Sequence, residues 1–341
     1  MEERLDPVLP EVDAANPRPR TAGQGPWRLA LRRLRRNRVA LAFGALFLVL
    51  VVVCLAAPIW ANQVAKTGPI KNHLTDTVVV DGEKKDVVTP DGIAIGPTFQ
   101  GQYFFGADGN GRDTAVRLLY GGRNSLFIGV SAALITALLS VIVGLLAGYF
   151  RGWVDAVLAR ILDVIWAYPV ILLGVALGTA LSLGGLQLGP ISIDSDSKLI
   201  PVVIIAVVYV PYMARPLRGQ VLGMREKEFV EAARAQGAGP LRIMASEMLP
   251  NLASTIVVFL PLMIANAILL EAALSFVGAG VRPPEPTWGT MISEGVKSII
   301  TAPHLTIVPG VMLVLTVLAL NVFGDGVRDA IDPRATIRLE H

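Results

Sequence analysis

Cysteine and histidine are nearly missing from this chain. One cysteine, Cys54, and three scattered histidines, His73, His304 and His341, occur in 341 residues. An internal disulfide is therefore impossible, and no His/Cys spacing suited to a bound metal exists. Charge is sparse as well, at 17% of residues with a net value of +3, too weakly basic to suggest a nucleic-acid partner. The glycine-rich stretch Phe105–Asp113 lacks the GxxxxGK[ST] pattern of a phosphate loop, and the pattern occurs nowhere else, so ATP hydrolysis is not expected of this polypeptide. An HExxH motif is absent too, and no histidine lies deep in an apolar run beside a nucleophile, which disfavours a membrane-embedded hydrolase. Apolar residues, by contrast, make up 53% of the chain, with a mean hydropathy of +0.58, a composition of membrane proteins rather than of soluble cores.

A membrane-crossing helix needs about 20 mostly apolar residues. Six runs qualify: Val39–Trp60, Ser125–Phe150, Ile161–Gly184, Leu199–Leu217, Leu252–Gly278 and Leu305–Phe323. The first is longer than the apolar stretch of a secretory signal, so it is expected to be a retained anchor. An arginine-rich segment, Arg28 to Arg38, stands directly before it. Positive charge remains on the cytoplasmic side, which predicts a cytoplasmic N-terminus and, with six spans, a cytoplasmic C-terminus. The fold class expected is an all-α integral membrane protein with six transmembrane helices.

Residues 1–25 are rich in proline and charge and read as a disordered tail. Residues 26–60 hold the basic segment and first span; that segment is either a short helix on anionic lipid or a topology signal alone. Residues 61–124 read as an extracytoplasmic insertion. Within it, valines flank Asp81-Gly82, the signature of a β-hairpin, either a contact for a delivery protein or a cover over the outer mouth. Residues 125–326 form the main membrane unit, and 327–341 a polar tail.

One polar segment, 224–250, interrupts the apolar runs. Glu226 to Gln236 reads as a short helix with acidic residues at the positive end of its dipole. Gly237 and Gly239 supply a helix end, Pro240 suits the first turn of a second helix, and Pro250 is expected to break that helix before the fifth span. A helix–glycine–helix knob of this kind cannot sit in lipid and is built to meet a partner.

The residues of this knob, Glu231-Ala232-Ala233, then Gly237, then Leu249-Pro250, resemble the cytoplasmic signature of permease subunits in ATP-binding-cassette (ABC) importers. Three further blocks narrow the resemblance to dipeptide/oligopeptide (peptide/nickel) permeases, and within them to the "C"-type member. These are Phe105 through Leu126 with Asp108, Gly111-Arg112-Asp113, Arg117 and Arg123; Leu274 through Gly289 with Pro283, Pro284, Pro286 and Trp288; and Gly324 through Arg334. The resemblance spans roughly residues 27–334 and leaves out the first 25 residues and 61–104. It implies a type I importer permease in the bacterial plasma membrane that pairs with a second homologous permease. Two cassette ATPases, which carry the ATP and Mg²⁺, and an extracytoplasmic substrate-binding protein complete the assembly. It further implies that Glu231, Ala232, Ala233, Gly237, Leu249 and Pro250 couple ATPase motion to transport. The cargo implied is di- or oligopeptide, with nickel chelate or glutathione as alternatives. An ion-coupled carrier would be expected to show more intramembrane acids.

Few polar residues fall within the spans. Asp163 is expected to pair with Arg160 one helical turn away. Glu271, near the outer end of the fifth span, either meets cargo or a gate, or positions the outer loop. Asn266 and Asn321 are suited to hydrogen bonds between helices, with Asn266 also a pathway position. Gly144, Gly148, Gly174 and Gly178 predict close helix contacts, and Trp288 a place at the membrane interface.

Overall fold

The computed structural model describes residues 26–189 and 191–332. The tail read over 1–25 and positions 333–341 of the C-terminal segment lie outside the described residues. A basic amphipathic helix, α1 (Pro26–Arg36), meets α2 (Arg38–Leu55) at Asn37, whose side chain caps α2 by accepting from the Ala40 N–H at 3.0 Å. Pro58 then opens a single turn, α3 (Ala57–Ile59), that runs into a π turn over Trp60–Ala65. The first regular helix thus ends sooner than its apolar run.

Residues between this turn and the second span fold around a small apolar core of Val78, Val80, Val87, Tyr103 and Ala107. Strands β1 (Thr77–Val80) and β2 (Glu83–Asp86) pair antiparallel with Val80 opposite Glu83. Asp81 and Gly82 both have positive φ, 54° and 85°, the two-residue turn whose twist fits a hairpin. Asp113 closes the unit. It accepts N–H groups from Tyr103 at 2.7 Å and from Val116 at 3.0 Å, tying the loop to the first turn of the next helix. Burial pushes its carboxyl up, while those N–H groups pull the other way.

With that cap in place, α4 runs Thr114–Phe150, starting well before the apolar stretch seen in sequence. It packs along α7 (Leu199–Met224). Gly144 and Gly148 permit this approach: a Cβ at either would stand 2.9 Å from Leu217 Cβ or 2.6 Å from Val221 Cβ, closer than side chains tolerate. Ser140 adds a hydroxyl bond to the Val210 carbonyl at 3.0 Å.

The third span differs from the continuous helix expected. It is two helices, α5 (Gly152–Trp166) and α6 (Val170–Gly184), bent by 91°. Pro169 supplies no N–H and pushes Tyr168 out of helical geometry. A second two-stranded sheet, β3 (Leu186–Leu188) with β4 (Ile191–Ile193), follows α6. Asp163 also departs from expectation. It pairs across helices with Arg215 of α7 at 2.8 Å, not with Arg160.

The polar segment contributes α8 (Glu228–Ala235), the single turn α9 (Pro240–Arg242) and a π turn over Ile243–Met248. From there α10 (Leu249–Phe276) continues without a stop, so Pro240–Phe276 is one continuous rod. The break expected at Pro250 does not occur. Pro250 has no N–H to give, and the π turn just before it, with its wider hydrogen-bond spacing, carries the rod past the proline ring. An outer loop then leads through α11 (Trp288–Val296) into α12 (His304–Ile331). Among the described residues, five helices are long and apolar enough to cross a membrane, and the bent pair makes a sixth span.

Candidate functional site

The hairpin between α7 and α10 is held rigid from inside. Gly237, at φ +79°, takes the left-handed conformation past the end of α8. This lets the Gly237 N–H reach Arg234 O at 2.9 Å and the Ala238 N–H reach Ala233 O at 3.0 Å, the double closure that stops a helix sharply. Glu228 and Glu231 occupy the first turn and Arg234 the last, each at the end of the dipole that favours its sign. The underside is apolar: Val230, Ile243, Met244, Met248 and Leu252 bury against Leu217 and Val221 of α7. Tyr149, at the end of α4, lies beneath two guanidinium groups, Arg225 at 5.9 Å and Arg234 at 5.5 Å from its ring centre. Arg151 with Glu226, and Arg218 with Asp155, tie the elbow between α4 and α5 to the same end of the bundle.

Outward, the hairpin offers Glu231, Ala232, Gly237 and Pro250 as exposed residues; Ala233 and Leu249 are half-buried, and the tip residue Leu241 is 76% exposed. These six residues of the expected signature thus lie along one small hairpin, without a nucleophile, base or metal-ligand set among them. Tyr149 and its two arginines were not singled out from sequence, since Arg234 lies 85 positions after the ring it covers.

At the opposite end, Glu271 is wholly buried. It accepts from Ser125 Oγ of α4 at 2.8 Å and from Ser275 Oγ at 2.7 Å. The same two hydroxyl oxygens receive backbone N–H groups of the outer loop, from Trp288 to Ser125 at 3.2 Å and from Val281 to Ser275 at 3.1 Å. One carboxylate thereby fastens α4, α10 and the loop between α10 and α11. Trp288 is not interfacial but fully enclosed, and its indole N–H donates to Leu118 O at 3.2 Å. Beside it, Arg112 and Arg117 converge on Glu294 Oε2, each at 2.8 Å, and Arg112 also holds Asp108 at 2.7 Å. Asn266 is half-buried, with its carbonyl accepting from the Tyr209 hydroxyl at 3.3 Å. Asn321 Oδ1 is buried without a hydrogen-bond partner among the described residues.

A long-helix membrane bundle thus carries a rigid polar hairpin at one end and a stapled loop at the other. Residues 140–337 match the family described as binding-protein-dependent transport system inner membrane component, and residues 25–74 match the N-terminal transmembrane domain of oligopeptide transport permease C. The chain is 34% identical to the glutathione transport system permease protein GsiD of Pectobacterium atrosepticum over 309 residues, 91% of each chain. It is 33% identical to the dipeptide transport system permease protein DppC of Alkalihalophilus pseudofirmus over 334 residues, 97% of this chain and 98% of that one. In fold it is similar to a chain of the MetNI methionine ABC transporter in an inward-facing conformation, with a TM-score of 0.51 and 19% identity over 63% of this chain and 96% of the other. The chain belongs to the peptide/nickel branch of the ABC importer permeases, with the type I fold, and is a multi-pass protein of the inner membrane.

Proposed function

We propose that this chain moves small peptides across the inner membrane as one of two similar permeases. One of two cassette ATPases docks on the hairpin over 224–250, and an extracytoplasmic binding protein delivers cargo at the opposite end. The hairpin and both termini then face the cytosol, in keeping with the arginines of α1. ATP and Mg²⁺ belong to the partner ATPases. Relatives named for dipeptide and for glutathione, itself a small peptide, support a peptide cargo. Glu231, Ala232 and Ala233 form the face presented to an ATPase groove, Gly237 fixes its angle, and Leu249-Pro250 joins it to the span. ATP-driven closure of the ATPases displaces the hairpin and rocks the bundle between two access states. Glu271 fastens the outer loop, and Asn266 stands nearer the path.

The observation that carries this reading is the glycine-closed hairpin, apolar beneath and charged above. Gly237→Pro removes a positive φ that proline cannot adopt, and Glu231→Lys reverses the charge on the docking face. Both variants are expected to insert normally and to lose at least about tenfold of ATP-driven peptide uptake, roughly 1.4 kcal/mol of coupling, in proteoliposomes holding the full complex. Unchanged uptake in both would sink the docking role. Purification of the wild-type chain without any ATPase would sink the assembly itself.

A further inference from the structure

The helix that precedes the first span has two unlike sides. At 3.6 residues per turn, Trp27, Ala30, Leu31 and Leu34 of α1 fall on one side, and Arg28, Arg32, Arg35 and Arg36 on the other. Those four arginines are exposed and make no ion pair among the described residues. Arg33 donates to the Asp332 carbonyl at 3.0 Å, which fixes α1 across the end of α12. The apolar side does not close on a neighbour: Trp27 is 51% exposed and Leu31 50%. Instead, Trp27 and Ala30 border a cavity of about 520 Å³ with Ser254 and Val258 of α10 and Arg328 and Ile331 of α12. Val258, Phe259 and Arg328 also line a second cavity of about 460 Å³, which reaches Leu262 and Asn321 further along the two helices. Together they make one groove running lengthwise between α10 and α12. Asn321 lies two turns from Arg328, about 10 Å along the axis, and Leu262, 43% exposed, leaves the groove open at its side. The acids near its mouth, Asp325, Asp329 and Asp332, are outnumbered by Arg328 and the six arginines between Arg28 and Arg38.

A groove parallel to the helices, cationic at its mouth, apolar along its wall and flanked by a basic amphipathic helix is complementary to a charged head with an acyl tail. We propose that the groove between α1, α10 and α12 holds one anionic phospholipid. Its phosphate sits at Arg328 and the arginine side of α1, where guanidinium groups bond phosphate oxygens well. One acyl chain follows Val258, Phe259 and Leu262 inward, and the Trp27 ring lies at the level of the glycerol, where such rings settle. A zwitterionic lipid brings a cationic headgroup into the same positive field and binds less well. The groove also touches Pro250 and Asn251, so a seated lipid braces α10 where the hairpin joins it. The permease reading above enters only in assigning the lipid to the cytoplasmic leaflet; the groove itself is formed by this chain alone.

Lipid retention by the full-length chain, and by the complete transporter, tests this. Each is stripped of lipid in a non-ionic detergent, supplied with equal amounts of phosphatidylglycerol and phosphatidylcholine, and weighed by native mass spectrometry. Expected is one phosphatidylglycerol retained at least about tenfold over phosphatidylcholine, a preference that Arg328→Gln lowers about fivefold, as for the attraction of one arginine to an anionic surface. Position is read from tryptophan fluorescence with lipids brominated on the acyl chains near the glycerol. The Trp27 contribution, wild type minus Trp27→Phe, is quenched more strongly by brominated phosphatidylglycerol than by brominated phosphatidylcholine. Equal retention of the two lipids overturns the proposal, as does wild-type retention by Arg328→Gln or equal quenching of Trp27 by both. Lipid held by the isolated chain but released in the complete transporter overturns it as well and gives the groove to the second permease. Uptake and copurification of ATPases, measured separately, report on the permease reading alone, because retention is read on a chain that need not transport.

Discussion

Two sets of charges lie within the apolar bundle, and the fold treats them in opposite ways. Glu271 is sealed from every side, with Ser125 and Ser275 supplying hydroxyls and the outer loop packed over it. Arg215 and Asp163 face outward from the chain beside the bend between α5 and α6. An enclosed carboxylate bonded on several sides costs desolvation that only tight geometry offsets. Such a group fixes structure. An open pair, 38% and 54% exposed, contributes far less to holding the fold. Depth in the membrane alone does not separate the two roles; the difference lies in what surrounds each group.

The largest effect expected from breaking this contrast is Glu271→Ala. It strands two buried hydroxyls and opens a void, a loss of about 3 kcal/mol, seen as reduced yield and a lowered unfolding temperature of the detergent-solubilised chain. On the closed side, Trp288→Phe removes the bond to Leu118 O together with part of a buried ring and lowers stability by about 1–2 kcal/mol, read as a shift of the unfolding temperature. Arg215→Gln comes next: it breaks an exposed pair and costs less than about 1 kcal/mol, with folded yield and ATPase assembly unchanged. Equal loss of yield in Glu271→Ala and Arg215→Gln would erase the distinction between closed and open charges. The smallest effect sharpens the comparison most. Glu271→Gln preserves shape; its amide oxygen accepts one of the two hydroxyls and its NH2 meets the other, so the outer loop loosens slightly while uptake of every peptide tested stays within about twofold, under about 0.5 kcal/mol. A selective loss for some peptides would move Glu271 to the path.

Five of the six spans were legible because each is a run of apolar residues long enough to cross a bilayer. The hairpin was legible because Gly237 and Pro240 punctuate a polar helix where lipid cannot be. The bend at Tyr168-Pro169 was not, although its proline stood in plain view. Pro211, Pro216, Pro261 and Pro309 all lie inside unbroken helices, so proline in an apolar run does not by itself mark a break. Local spacing suggested Arg160 for Asp163, but the partner came from α7, 52 positions away. Ser125 and Glu271 are 146 positions apart, and nothing short of the fold brings them together. The extension of α4 back to Thr114 depends on Asp113, whose capping role is set by the loop it also binds.

Pro240–Phe276 is a single rod of 37 residues, about 55 Å long at 1.5 Å per residue, whereas the hydrocarbon layer is about 30 Å thick. It therefore overhangs the membrane. One end carries the exposed tip residue Leu241, and the other carries Glu271 and the loop it fastens. Two places along it lack the regular hydrogen-bond ladder: the π turn over Ile243–Met248 and Pro261, which has no N–H to give. Under the proposed docking, a tilt applied at the tip reaches Glu271 across two joints, and where along α10 its neighbours act as fulcrum sets how much of it arrives.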